Sequence, residues 1–417
     1  MTANLLRPLR VRDFRLLFGG ESISVLGDYF HFVALAWLTI QLTGSGLALG
    51  GVLLVAAIPR AVFVLLGGAL SDRFSPRSLM LYSNAFRAVV VGILAALVLT
   101  ETAELWHLFV MAGIFGVVDA LFYPAVNTIL PMLVDEERLP PANALMQGSQ
   151  QLAGLIGPVL AGLLIASVQI GVAFLVDAVS FAIAATALLF VLGGRRAAPA
   201  EDSADGPRPG LLGTIGDGFR FAWSDPAVRS LILLTAAFNL AFNGPLLVGL
   251  PFLAETRLGG GSATFGILLG AFGAGSLLGA AGAGSISRVP KLGTVVLATA
   301  MGMGAAFGLL GLAPNVWSAC AILAVIGVGA GFVNVHIFSW LQGRTADDMR
   351  GRVMSMVMLG AIGLAPLSYG IAGAIVDLGA VTIMFATAGA IVVVASLLGF
   401  AWGVAGRMTY APENEPS

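Results

Sequence analysis

Residues 67–77 read "GGALSDRFSPR", and the reading of this stretch decides the fold. Asp72, Arg73 and Arg77 are gathered in one short turn, with a long apolar run on either side. Charge is tolerated in such a place when the flanking runs lie in hydrocarbon and the turn lies at the aqueous surface. The whole chain has the matching composition. Of 417 residues, 58% are hydrophobic and 10% charged, with a mean hydropathy of +0.96. A soluble domain carries roughly 25% charged residues.

Working outward from the turn, apolar runs of about 20 residues, the length that crosses a bilayer, fall at about 15–40, 46–70, 78–100, 105–131, 143–167, 171–193, 229–254, 263–286, 292–313, 316–341, 353–376 and 381–405. They predict an all-α polytopic membrane protein with twelve transmembrane helices. Cytoplasmic loops are enriched in Lys and Arg. With the N-terminus inside, 18 of the 21 basic residues fall in inner segments, and Arg257 alone in an outer loop. The remaining two, Arg60 and Arg87, lie within spans. Both termini are therefore expected in the cytoplasm. The opening "MTANLLRPLRVRDFR" has no small-residue cleavage site and reads as a basic amphipathic lead-in.

The longest polar stretch, "GGRRAAPAEDSADGPRPG" at 193–210, has the composition of a flexible linker. It divides the chain into a six-helix bundle at 1–192, a cytoplasmic linker at 193–228, a second six-helix bundle at 229–406 and a tail at 407–417. Within the linker, Leu211, Ile215, Phe219 and Trp223 recur every fourth residue, as in a helix lying on a membrane surface; an extended start to the seventh span is the other reading. The halves echo each other. "DEER" at 135–138 and "DDMR" at 347–350 precede the fifth and eleventh spans, and Pro158 and Gly162 have counterparts in Pro366 and Gly370. Paired repeats are the architecture of many secondary transporters, with the substrate site between them.

Net charge is −1, so there is no nucleic-acid footprint. The single cysteine, Cys320, excludes a disulfide framework and offers no metal-ligand spacing. Three histidines without Glu or Cys at ligand spacing argue against a membrane enzyme, and no repeated filter motif suggests a channel. No metal or cofactor is expected.

Residues 68–77, "GALSDRFSPR", resemble the loop motif between the second and third spans of the major facilitator superfamily, G-x-L-x-D-R-x-x-x-[RK]. Gly68, Leu70, Asp72, Arg73 and Arg77 match, and Ser75 stands where glycine is usual. In the fifth span "GLIGPVLAGLL" is similar to the Gly-Pro motif of antiporters: Gly157, Pro158 and Gly162 match, while Ala153 and Ala161 replace glycines. "LGDYF" at 26–30, "AIPR" at 57–60, "DGFRFAWSDPAVRSL" at 217–231 and "RGRVMSMV" at 350–357 resemble the drug and siderophore exporter branch, enterobactin-exporter-like and macrolide-efflux-like. The resemblance implies two pseudo-symmetric bundles, a central cavity lined by the first and fourth spans, and gating at Gly157 and Pro158. For the loop motif we expect Asp72 to dock on the inner end of the eleventh span near Arg352. Arg73 and Arg77 hold the orientation.

An ionisable group within a span is costly and points to function. These groups are Glu21, Asp28, His31, Arg60, Arg87, Asp119 and Asp177, all in the first half. In the second half Asn239, Asn243, Asn334 and His336 are the nearest polar equivalents. Glu21 and Asp28 share a helix face, with His31 three residues beyond Asp28. Desolvation disfavours a charged carboxylate, which suits a group that takes up and releases a proton. Asp28 and Asp119, near mid-span, are the foremost candidates for coupling, with Glu21 and His31 behind them. Structural ion pairing with Arg60 or Arg87 is the competing reading. Asp177 is expected near the outer end of its span, within reach of water.

The expected function is proton-coupled efflux of a small amphipathic molecule (a drug, antibiotic or siderophore) by alternating access. The protein would act as a monomer in a bacterial cytoplasmic membrane. Uptake of a nutrient and a non-transporting receptor are the alternatives. Nutrient uptake calls for polar clusters in both halves.

Overall fold

The computed structural model describes residues 5–71, 75–193, 220, 223–224, 226–286, 289–344 and 363–408. Every regular element among them is helical. A bilayer offers no partner to unpaired backbone groups, and a helix satisfies its own.

The first half contains α1 (Arg12–Thr43), α2 (Gly46–Ser71), α3 (Pro76–Leu99), α4 (Leu105–Leu133), α5 (Leu139–Ser167) and α6 (Ile170–Phe190). The second begins with α7 (Pro226–Gly244), a π-helical segment (Pro245–Gly249) and α8 (Leu250–Thr256), which together form one composite span. Then follow α9 (Gly261–Ser285), α10 (Leu292–Leu310), α11 (Val316–Arg344), α12 (Ala365–Asp377), α13 (Val381–Ala401) and the short α14 (Val404–Arg407). Among the described residues eleven helical stretches are long and apolar enough to cross a membrane. The eleventh expected span, about 353–376, is described only from residue 363, where α12 supplies 13 residues. Most of the linker and of the expected surface helix lies outside the described residues, as do Asp72, Arg73, Arg352 and the tail from residue 409.

By contacts the chain forms two units, Met1–Asp202 with Ala254–Gly270, and Ser203–Leu253 with Ala271–Ser417. The first unit thus holds the opening turns of α9, which the linker-based division assigned to the second half. Small residues explain this. A Cβ at Gly266 would strike the Pro158 carbonyl, and one at Gly162 would strike the Ser262 carbonyl, so the two backbones touch. Ser262 Oγ also donates to the Gly162 carbonyl at 3.2 Å.

Within the first unit α2 packs on α4, α3 on α6, and α1 on α5 and α6. Phe14, Leu17, Met80, Ile129, Leu188 and Val191 form a core near the ends of these helices. The C-terminus of α6 is held by charge. Arg12 Nη1 donates to the Phe190 carbonyl at 3.1 Å and Arg77 Nη2 to the Leu189 carbonyl at 2.9 Å. Cations suit the negative end of a helix dipole. Asp13 accepts from the Leu192 and Gly193 amides at 2.9 and 2.8 Å.

Within the second unit α10 packs on α11 and α13, and α7 on α12 and α13. Ser368 of α12 enters α7 itself. Its Oγ donates to the Leu240 carbonyl at 2.6 Å and accepts from the Gly244 amide at 2.7 Å. An α-helix would pair those two backbone groups directly. Pro245, the next residue, has no amide hydrogen, and the π-helical segment starts there.

Candidate functional site

Each unit contains a cavity, and the two differ in chemistry. That of the first unit has a volume of about 680 Å³. α1 contributes Glu21, Ser24, Asp28 and His31 to it, α2 Arg60, α3 Arg87, and α4 Asp119 and Asn127. Asn143, Gln147, Gln150 and Gln151 come from α5, and Phe32, Phe115, Phe122 and Tyr123 supply aromatic wall. The cavity of the second unit, about 400 Å³, is lined by residues such as Leu231, Phe238, Val296, Met303 and Ile337. Its polar lining is Thr235, Asn239, Asn334 and Ser396, with no charged residue among the described residues.

In the first cavity both arginines turn to one acid. Arg87, buried on α3, donates through Nη2 to Asp119 Oδ1, and Arg60 Nη1 stands 4.0 Å from Asp119 Oδ2. Arg87 is also enclosed by rings: its guanidinium carbon lies 4.5 Å from the centroid of Phe122, 5.4 Å from Phe181 and 5.8 Å from Phe115. Rings facing a guanidinium offset part of its desolvation.

His31 turns away from its helix neighbour Asp28. Its Nδ1 lies 3.0 Å from Asp177 Oδ2, and its ring stacks on Phe115 with centroids 4.6 Å apart. Asp177 has no solvent-exposed surface, which corrects the expectation that it reaches water. It sits where α1 and α6 pack together, held also by Ser180, whose Oγ lies 3.5 Å from Oδ1. Glu21 is buried and accepts one long bond, 3.5 Å, from Asn84 Nδ2 of α3. Asp28 makes no hydrogen bond and no ion pair among the described residues, and its side chain is open to the cavity. Two guanidiniums therefore serve one carboxylate, and Asp28 has no ion-pair partner among the described residues.

Sequence reasoning did not single out Asn84 or the amide row of α5. The signal for the row lay in the spacing: Gln147 follows Asn143 by four residues, and Gln150 and Gln151 follow Gln147 by three and four, a polar face on a largely apolar span. Of the aromatic residues, Phe32, Phe115, Phe122 and Tyr123 reach the first cavity, and Phe238 and Phe338 the second. In the antiporter-type motif, Gly157 lies against the ring of Tyr29, beside Asp28, while Pro158 and Gly162 meet α9. In the loop motif Gly68 falls in α2, and Arg77 opens α3 and holds the end of α6. Among the described residues no cluster of His, Cys, Asp and Glu is placed to hold a metal ion.

Helices of membrane-spanning length in two units, one with a charged cavity and one with an apolar cavity, define a polytopic membrane protein. The chain belongs to the transmembrane secretion effector family of the major facilitator superfamily, whose family model matches residues 3–411. Macrolide efflux protein A of Streptococcus pyogenes is 21% identical over 82% of this chain and 84% of its own length. Enterobactin exporter EntS of Escherichia coli O9:H4 is 27% identical over 82% of this chain and 79% of its own length. A bacterial homologue of the iron transporter ferroportin, solved in an inward-facing state, superposes with a TM-score of 0.70 at 18% identity, over 94% of this chain and 98% of that one. At that identity the likeness is one of fold.

Proposed function

We propose that this protein exports a small amphipathic molecule across a bacterial cytoplasmic membrane, driven by proton entry, through alternating access. The observation that carries the reading is Asp28, a carboxylate on the wall of a large cavity with no ion-pair partner among the described residues. A carboxylate neutralised by a fixed arginine has little reason to change its protonation during a cycle, whereas an unpaired one must find a proton or a cation. Asp119, bracketed by Arg60 and Arg87, then serves as the fixed charge that organises the N-terminal bundle. Glu21 and His31 are secondary proton sites. The efflux relatives support the direction of transport.

The proposal includes twelve spans with both termini cytoplasmic, the six-and-six division at the linker, and a monomeric functional unit. It includes a latch in which Asp72 docks beside Arg352, and a gate at Gly157 and Pro158, where α5 meets Tyr29 and α9.

The test is efflux from proteoliposomes with an imposed pH gradient, across a panel of macrolides, siderophores and synthetic amphiphiles. Wild type should move at least one compound at a rate that follows the gradient, and Asp28→Asn should not. Equal gradient-driven rates would remove Asp28 from coupling. Transport indifferent to the gradient would remove proton coupling altogether.

A further inference from the structure

We propose that the cavity of the first unit selects its cargo by charge sign and takes an amphipathic cation, a protonated amine or equivalent on an apolar body, with Asp28 as counter-charge. This rests on the transporter reading above and names the substrate class.

Charge around this cavity is unbalanced. The carboxylates on or directly behind its wall are Glu21 and Asp28 of α1, Asp119 of α4 and Asp177 of α6. The cationic groups are Arg60 of α2 and Arg87 of α3, with His31 as a third when protonated. Acids outnumber bases in either state of His31. The pairing decides where the surplus falls. Both arginines engage Asp119, and His31 engages Asp177. Neither Glu21 nor Asp28 has an ion pair among the described residues.

An anion entering the cavity would meet this surplus. The one cation with substantial access is Arg60, whose side chain is 50% exposed, and it already stands by Asp119. A cation reaching Asp28 would meet a carboxylate that no hydrogen bond or ion pair engages among the described residues. In a cavity walled by protein, such a pair interacts more strongly than in water. The rest of the lining is neutral on sign. Gln147, Gln150 and Gln151 both donate and accept, and so read hydroxyl and carbonyl groups without regard to charge. Phe32 and Tyr123 offer ring faces, which suit an apolar body and attract a cation. A volume of about 680 Å³ lies within the range of roughly 300–1,000 Å³ typical of drug-sized sites.

The test uses two probes of equal shape and opposite charge, tetraphenylphosphonium and tetraphenylborate. Each is measured separately by equilibrium dialysis against the purified full-length protein in detergent, at one pH and without a gradient, with protein-free micelles as blank. We expect saturable binding of the cation and none of the anion. We expect Asp28→Asn to weaken cation binding about tenfold or more, by analogy with the loss of one partner from a close charge pair. Glu21→Gln should weaken it by a smaller factor, and Asp28→Glu should retain it.

Binding of the anion equal to or tighter than that of the cation overturns the proposal. So does cation binding unchanged in Asp28→Asn. The comparison of the two probes is made on the unaltered chain and does not depend on a variant folding. It is also independent of coupling. Sign-selective binding with transport that ignores the pH gradient defeats only the proton reading. Gradient-driven transport without sign selectivity defeats only this one.

Discussion

The two cavities of this protein are built from similar material, helices of a membrane-spanning chain, and differ in what they bury. The first is lined by six titratable side chains and a row of amides; the second has four neutral polar residues in an apolar wall. The contrast begins in the sequence, where every mid-span acid and arginine lies in the first half. Buried charge is held at a cost in stability. Concentrating it in one unit leaves the other free to pack by shape alone, through glycine contacts such as Gly275 on the Ala324 carbonyl and Gly331 on the Ser276 carbonyl. Charge is thus concentrated in one unit, and on the proposed reading the chemistry is concentrated there too.

Five substitutions break or sharpen that contrast. The largest effect is expected from Asp28→Asn, with gradient-driven efflux falling to the level of protein-free liposomes while expression and elution volume stay normal. Next comes Arg87→Met. Removing one partner of a buried pair costs about 3–5 kcal/mol; because the Asp119 side chain keeps 33% exposure and Arg60 stands nearby, the expected loss is about 2–3 kcal/mol, read by denaturant unfolding in detergent. Adding Asp119→Leu to that variant should recover part of it, as the stranded charge is removed. Gly162→Val forces a side chain into the backbone contact with α9 and should cost about 1–3 kcal/mol, the usual range for overpacking. The smallest effect belongs to the second cavity. Asn239→Leu removes an amide whose Nδ2 donates to the Thr235 carbonyl and whose Oδ1 accepts from Asn243 Nδ2, both on its own helix, so efflux should stay within about twofold of wild type, and stability should change by no more than about 2 kcal/mol. A loss of efflux in Asn239→Leu comparable to that in Asp28→Asn would end the division of labour.

The fold was legible because its signals are one-dimensional. Runs of apolar residues have a length, and the loop around Asp72 has a spelling. The candidate charged residues were legible for the same reason: an Asp or Arg inside an apolar run stands out. Their partners were not. Arg87 is 32 residues from Asp119, and His31 is 146 from Asp177, so only the packing of α3 on α4 and of α1 on α6 decides the pairing. Sequence spacing favoured Asp28 with His31, three apart on one face, yet the ring turns across to α6. Asp177 illustrates the same limit. Its place near one end of a span suggested water, and the close approach of α1 removed it. The break within the seventh span had only Pro245 to announce it. The serine that completes the break lies 124 residues further along the chain.

That serine has a mechanical consequence. A continuous α-helix resists bending because each turn is tied to the next by its own backbone. At Leu240 and Gly244 the tie runs through a hydroxyl that belongs to α12. The stiffness of α7 at that level is therefore borrowed from a neighbour. One hydroxyl holds both a carbonyl and an amide of α7, so its loss would leave two backbone groups of a single turn without that partner at once.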